Sequence, residues 1–233
     1  MGIFDKKFCS VCGDKIGLLG NRKLEDGNLC GNCAKKLSPF FTERRKTTLA
    51  DIKRQLAYRE ANKKEVAQFN VSRQFGQYNK VLIDDNAGKF IVASSDRWKS
   101  ENPDVMDISQ ITNFRIDIRE TREEIKTQDG DGKSVSYSPP RYEYYYNFYV
   151  VISVNSPYFS EIEAKLNKNR TGYRGSPEYR EFERQAYDLQ EALKTRQTTQ
   201  GGAPAALTPR TCPNCGASVA AGKSCTYCGT VFQ

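Results

Sequence analysis

The chain has 233 residues with a formal net charge of +8, from 36 Lys and Arg against 28 Asp and Glu; eight residues are cysteine and none is histidine. Without histidine there is no Ser-His or Cys-His nucleophile pair, no imidazole general base and no His-ligated catalytic metal, so a non-catalytic protein is expected. A mean hydropathy of −0.69, with no stretch that reads as a secretory leader or a membrane span, points to a cytoplasmic protein. The opening Met-Gly-Ile-Phe-Asp-Lys is not a myristoylation signal, because Lys6 stands where Ser or Thr is required.

The positive charge is unevenly placed. Residues 1–47 carry ten basic side chains against five acidic ones, and the charged residues of 199–233 are Arg210 and Lys223 alone. The middle of the chain is close to neutral. An acidic partner is therefore expected at the ends rather than in the centre.

The first element is "CSVCGDKIGLLGNRKLEDGNLCGNC", in which Cys9/Cys12 and Cys30/Cys33 form two Cys-x-x-Cys pairs. The remaining cysteines repeat the pattern near the other end as Cys212/Cys215 and Cys225/Cys228. A two-residue gap lets two thiolates converge on one ion from a tight turn, and the glycine that follows at Gly13, Gly216 and Gly229 supplies backbone freedom. In a chain with no export signal this spacing holds metal rather than disulfides. Two sites of four cysteines follow, with zinc preferred over iron. Four protein ligands leave no open position, so each site is structural and contributes folding energy to a segment too small to bury a core.

Residues 8–37 resemble a bacterial zinc-binding domain family of unknown function, through Cys9, Cys12, Gly13, Ile16, Gly17, Leu18, Leu29, Cys30, Cys33, Ala34 and Leu37. The resemblance implies a zinc-ribbon-like module and no activity. "CPNCGASVAAGKSCTYCGTVF" is similar to the generic zinc ribbon found at the ends of many bacterial proteins.

Downstream, Thr48 with Asp51 three residues later is a helix start, and a helix of about twenty residues running to Asn70 is predicted as a spacer. Its apolar residues keep helical spacing only in the first half. "KVLIDDNAGKFIVAS" reads as a hairpin turning at residues 84–88, followed by strands in "DVMDIS", "ITNFRIDIRET", "YEYYYNFYVVISVN" and "YFSEIEAKLN". Residues 126–140 read as a loop. Tyr142, Tyr144, Tyr145, Tyr146, Phe148 and Tyr149 read as a central strand packed on both faces rather than a base-stacking platform. A last helix starts at Ser176-Pro177 with the stripe Tyr179, Phe182, Ala186, Leu189 and Leu193.

The fold class is α+β: a small antiparallel β-barrel or curved sheet with a C-terminal helix, flanked by two ribbon modules and a connecting helix. Over residues 78–196 this order is similar to bacterial pleckstrin-homology-like domains. The expected divisions are a four-cysteine domain at 1–41, the connecting helix at 42–75, the β domain at 76–197, a linker at 198–210 and the second ribbon at 211–233.

Three functions compete. A zinc-binding adaptor that meets protein partners accounts for the closed sites, the missing histidine and the linker. A nucleic-acid-binding protein would use Lys15, Arg22, Lys23, Lys35, Lys36, Arg44, Arg45 and Lys46. An enzyme has only Asp84/Asp85 to offer, and acids are expected at a turn. The adaptor is the preferred reading.

Overall fold

The computed structural model describes residues 6–200 and the strand pair Arg210–Thr211 and Ser218–Val219. Its first part is made of two-residue ladders: β1 (Lys7–Phe8) with β2 (Lys15–Ile16), and β3 (Arg22–Lys23) with β4 (Asn28–Leu29). A single turn, α1 (Gly31–Ala34), and a 3-10 turn (Arg44–Lys46) lead into α2 (Leu49–Gln68).

Helix α2 begins as its sequence requires. Thr48 Oγ accepts from the backbone N–H of Asp51, and the Asp51 carboxylate accepts from that of Thr48. The Thr48 hydroxyl, which donates to the Asp51 carboxylate at 2.6 Å, and then the Thr48 N–H hold that carboxyl below the usual range. The helix stops at Gln68, where Phe69 turns extended and is buried.

The helix is a bridging element, not a spacer. Ile52, Gln55, Arg59, Asn62 and Val66 are buried at three- and four-residue steps, so one face is covered along the whole length. The apolar pattern fades in the second half because the covered residues there are polar. Arg59 Nη1 donates to Asp104 at 2.7 Å, Ser38 Oγ donates to the other oxygen of that carboxylate at 2.6 Å, and Arg59 Nε donates to the carbonyl of Lys36 at 3.3 Å. Asn62 donates to the carbonyl of Pro103 at 2.7 Å and accepts from the N–H of Val105 at 3.0 Å. One polar clamp thus ties the segment after Cys33, the helix, and residues 102–105 together.

Beyond α2 lie two antiparallel sheets. The first has the order β5 (Arg73–Phe75), β6 (Lys80–Asp84), β7 (Lys89–Ala93) and β8 (Met106–Asp107), with the short helix α3 (Trp98–Glu101) inserted before its last strand. The second has β9 (Ile111–Gln128) and β11 (Glu161–Lys165) on either side of β10 (Ser134–Val154). The predicted hairpin pairs Asp84 with Lys89 and turns through Gly88 at φ +65°. Strands β6 and β7 are covered on both faces. Val81, Ile83 and Phe90 enter the main core, whereas Leu82 and Ile91 pack with Phe69 and Trp98 behind the sheet. Buried on both sides, such strands read as continuous apolar runs.

Among the described residues the sheets do not close into a barrel. They meet at one corner, where the N–H groups of Gln77 and Tyr78 donate to the carbonyl of Leu166 and that of Asn79 to Lys165. Helix α4 (Pro177–Gln200) covers the gap with Tyr179, Phe182, Ala186, Leu189 and Leu193. Ser176 caps it by accepting from the N–H of Tyr179. It runs three residues into the span expected as linker; the rest of that span lies outside the described residues apart from Arg210.

Strands β9 and β10 are much longer than their sequences suggested. The loop expected at 126–140 contracts to a turn at 129–133, where the Asp129 carboxylate accepts from the N–H groups of Asp131 and Lys133. Prolines 139 and 140, which cannot donate to a ladder, sit in a bulge between Ser136 and Arg141. The two strands project as a ribbon past the end of the core. Consequently Tyr146 and Phe148 are core residues as expected, but Tyr142 and Tyr144 are exposed on the ribbon. The guanidinium of Arg122 lies over the Tyr142 ring, and that of Arg170 over Tyr145.

Candidate metal centre

The N-terminal cysteines converge. The ladder β1–β2 brackets the first pair: the N–H of Cys9 donates to the carbonyl of Asp14 and that of Gly13 to Cys9, both at 2.8 Å. Closing this turn puts Gly13 at φ +79°, a conformation that costs glycine little. The second pair is built differently. Cys30 is the N-cap of α1, and its sulfur accepts from the N–H of Cys33 at 3.4 Å. Ala34 therefore replaces the glycine of the other motifs, because the chain enters a helix there.

A close approach at Gly27 joins the halves: a Cβ there would stand 2.7 Å from Ser10 Oγ. The N–H of Ser10 donates to Asn28, and the N–H of Asn28 to Ser10 Oγ.

All four sulfurs, of Cys9, Cys12, Cys30 and Cys33, lie within 4.8 Å of one another. Cys12 Sγ and Cys30 Sγ are 3.7 Å apart. A tetrahedron with metal–sulfur bonds of about 2.3 Å has edges of about 3.8 Å, so the donor set fits one tetrahedral ion. Cys9, Cys30 and Cys33 are buried and Cys12 is exposed.

The protons on these sulfurs are unevenly held. Burial pushes the Cys9 thiol up, but the N–H groups of Cys12, Cys30 and Val11 outweigh it and bring it down to about 6. Burial and the neighbouring sulfurs raise Cys33. At Cys12 the N–H of Asp14 favours the thiolate, the Asp14 carboxylate opposes it, and the net is upward. A bound cation displaces these protons, so metal affinity falls with falling pH.

The site has an apolar jacket. Ile16, Leu24, Leu29, Leu37 and Ile52 are buried with the cysteines, and Leu49 and Leu56 pack against them. Of the apolar run after the first knuckle, Ile16 covers the cluster, whereas Leu18 and Leu19 face solvent. The N–H of Leu49 donates to Asp26 at 2.7 Å, which fastens the β3–β4 turn to the start of α2. The four-cysteine unit is thus folded onto the helix.

Sequence reasoning missed the clamp of Arg59, Asn62 and Asp104. Its available signal was the polar continuation of the α2 stripe at helical spacing. It also did not foresee that Arg22 and Lys23 of β3 would meet Arg44, Arg45 and Lys46 along one groove of about 490 Å³. The acids weighed as catalytic are engaged elsewhere. Asp84 accepts from the N–H groups of Asn70 and Ala87, and Asp85 pairs with Arg73. Cys212, Cys215, Cys225 and Cys228 lie outside the described residues, and no described helix is long and apolar enough to cross a membrane.

Residues 7–55 match a family model described as a domain of unknown function (DUF4428). The match runs from β1 into α2, the stretch that shares the apolar jacket of the cysteines. No curated protein and no solved structure matches the chain.

Proposed function

We propose that the protein is a non-catalytic, zinc-binding adaptor that meets protein partners through its ribbon modules and its central β domain. One observation carries this reading: four thiolate donors converge within 4.8 Å and are jacketed by Leu24, Leu29 and Ile52, leaving a bound ion no position for water or substrate. Such an ion shapes a surface instead of performing chemistry. All-sulfur ligation suits zinc; iron is the less favoured occupant.

The second site is supported by register. Arg210 pairs with Val219 and Thr211 with Ser218, so this ladder brackets Cys212/Cys215 at the same offsets as β1–β2 brackets Cys9/Cys12. With Cys225 and Cys228 it would complete a second zinc ribbon. The seven strands and covering helix of the central region support the pleckstrin-homology-like reading of that part.

Cobalt substitution tests the closed site. The visible spectrum of tetrahedral cobalt thiolate should stay unchanged when cyanide or azide is added. A shift on adding either ligand would reveal an open coordination position and defeat the adaptor reading.

A nucleic-acid-binding role is the second reading, favoured by the groove of Arg22, Lys23, Arg44, Arg45 and Lys46. Among the described residues only Lys46 of these five is ion-paired, with Glu43. Five phosphate contacts would give a log–log salt slope of about −4. Binding of a 20-mer DNA and RNA at 50 and 200 mM salt decides it: weak, salt-independent binding removes this reading.

A further inference from the structure

Between residues 40–43 and 47, the first turns of α2 and the β10–β11 connection at 156–161 lies a cleft of about 730 Å³, of a size that takes a ligand; Arg44, Arg45 and Lys46 line the separate basic groove. The walls of the cleft are aromatic. Phe40 and Phe159 stand with ring centres 5.4 Å apart, and Tyr158 is backed by Tyr58, outside the lining, at 5.0 Å and a tilt of 39°. Its rim is acidic, with Glu43, Asp51 and Glu161 against Arg54. Arg54 is engaged by Asp51 and Lys46 by Glu43, while Glu161 has no ion-pair partner among the described residues. In a chain of net charge +8 this cleft is locally negative.

The floor includes Gln55. Its side chain is 1% exposed, and neither the oxygen nor the nitrogen of its carboxamide has a hydrogen-bond partner among the described residues. Such a group is destabilising unless something pairs with it. The other polar residues buried along α2, Arg59 and Asn62, are fully engaged. Gln55 differs from them in having an unpaired carboxamide; Arg59 lines a separate cavity of about 420 Å³ but spends its donors within the clamp.

We infer that the cleft binds an extended peptide segment bearing a basic side chain next to an apolar one. The inference rests on the adaptor reading and names the class of partner. A carboxamide offers one acceptor and a donor group side by side, and one residue of an extended backbone answers both with its own N–H and C=O. Aromatic walls receive the apolar side chain, and the acidic rim receives the Lys or Arg and disfavours phosphate.

The test is selection of ten-residue peptides from a phage-displayed library on the zinc-loaded full chain, followed by polarisation titration of the synthesised consensus peptide. The expected consensus places Lys or Arg beside Leu, Ile or an aromatic residue. Gln55→Leu should weaken that peptide at least tenfold while leaving the unfolding midpoint equal or higher, since it removes an unpaired buried amide. Glu161→Lys, on the exposed rim, should weaken it at least fivefold with no change of midpoint. An acidic consensus, the absence of any consensus, or unchanged affinity in Glu161→Lys overturns the inference. A lowered midpoint in Gln55→Leu also overturns it, by making the glutamine a folding residue. The cobalt spectrum bears on the adaptor reading alone, so the two failures are distinguishable.

Discussion

Replacing Asp104 by leucine strands a buried guanidinium. The side chains of Arg59 and Asp104 are 8% and 0% exposed, and the carboxylate also receives the Ser38 hydroxyl. Breaking a buried pair from one side costs about 3–5 kcal/mol. The carbonyls of Lys36 and Asn102 stay bonded to Arg59, which places Asp104→Leu near 3 kcal/mol. With a urea slope of about 2 kcal/mol/M, the unfolding midpoint should fall by about 1.5 M. Trp98 is the sole tryptophan and packs on Phe69 beside the clamp, so its fluorescence reports the transition. In the double variant Arg59→Met, Asp104→Leu no charge remains to be stranded. It should be more stable than the sum of the single effects predicts, by about 2 kcal/mol. A single-variant loss below about 1 kcal/mol, or strict additivity in the double, would refute the clamp as the junction between the cysteine unit, α2 and the β domain.

Three other outcomes are expected. Ile52→Ala empties a fully buried site in the cysteine jacket and should cost about 2–5 kcal/mol, with faster zinc loss to a chelator; unchanged zinc loss would uncouple helix from metal. Leu18→Ser and Leu19→Ser alter side chains that are 81% and 88% exposed and should move stability by less than about 0.5 kcal/mol in thermal melts; a larger loss would mean that these leucines are covered. Burial, followed by the Asp104 charge, pushes Tyr58 to about 12. The fold favours its protonated form, so its contribution is full below about pH 10 and is lost as pH rises toward 12. Tyr58→Phe should lessen the loss of stability measured between those values, and an unaltered pH profile would contradict the shift.

Local signals carried well into three dimensions. The Thr48/Asp51 box, the Ser176-Pro177 start, the turn at 84–88 and the N-terminal spacings Cys9/Cys12 and Cys30/Cys33 each act within a few residues, and the chain obeys them. What escaped the sequence was non-local. Arg59 meets Asp104 across 45 residues, and nothing in the α2 pattern marks a buried arginine as paired rather than solvated. The β9–β10 ribbon has polar residues on both faces, so no alternation announced its length. Barrel closure depends on which strand edges meet, and helix α4, with a clear apolar stripe, fills the place that further strand pairing would have taken. At the candidate metal centre the convergence of the four cysteines was legible from spacing. Their docking on α2 through Ile52 was not, because one isoleucine in a helix does not name its neighbour.

The central claim is that Cys9, Cys12, Cys30 and Cys33 hold one zinc ion that the fold is built around. Zinc K-edge X-ray absorption on the chain with Cys212, Cys215, Cys225 and Cys228 changed to serine tests it most directly. The account predicts one zinc per chain with four sulfur neighbours at about 2.3 Å. A first shell containing oxygen or nitrogen, or a folded chain that binds no zinc, would contradict it.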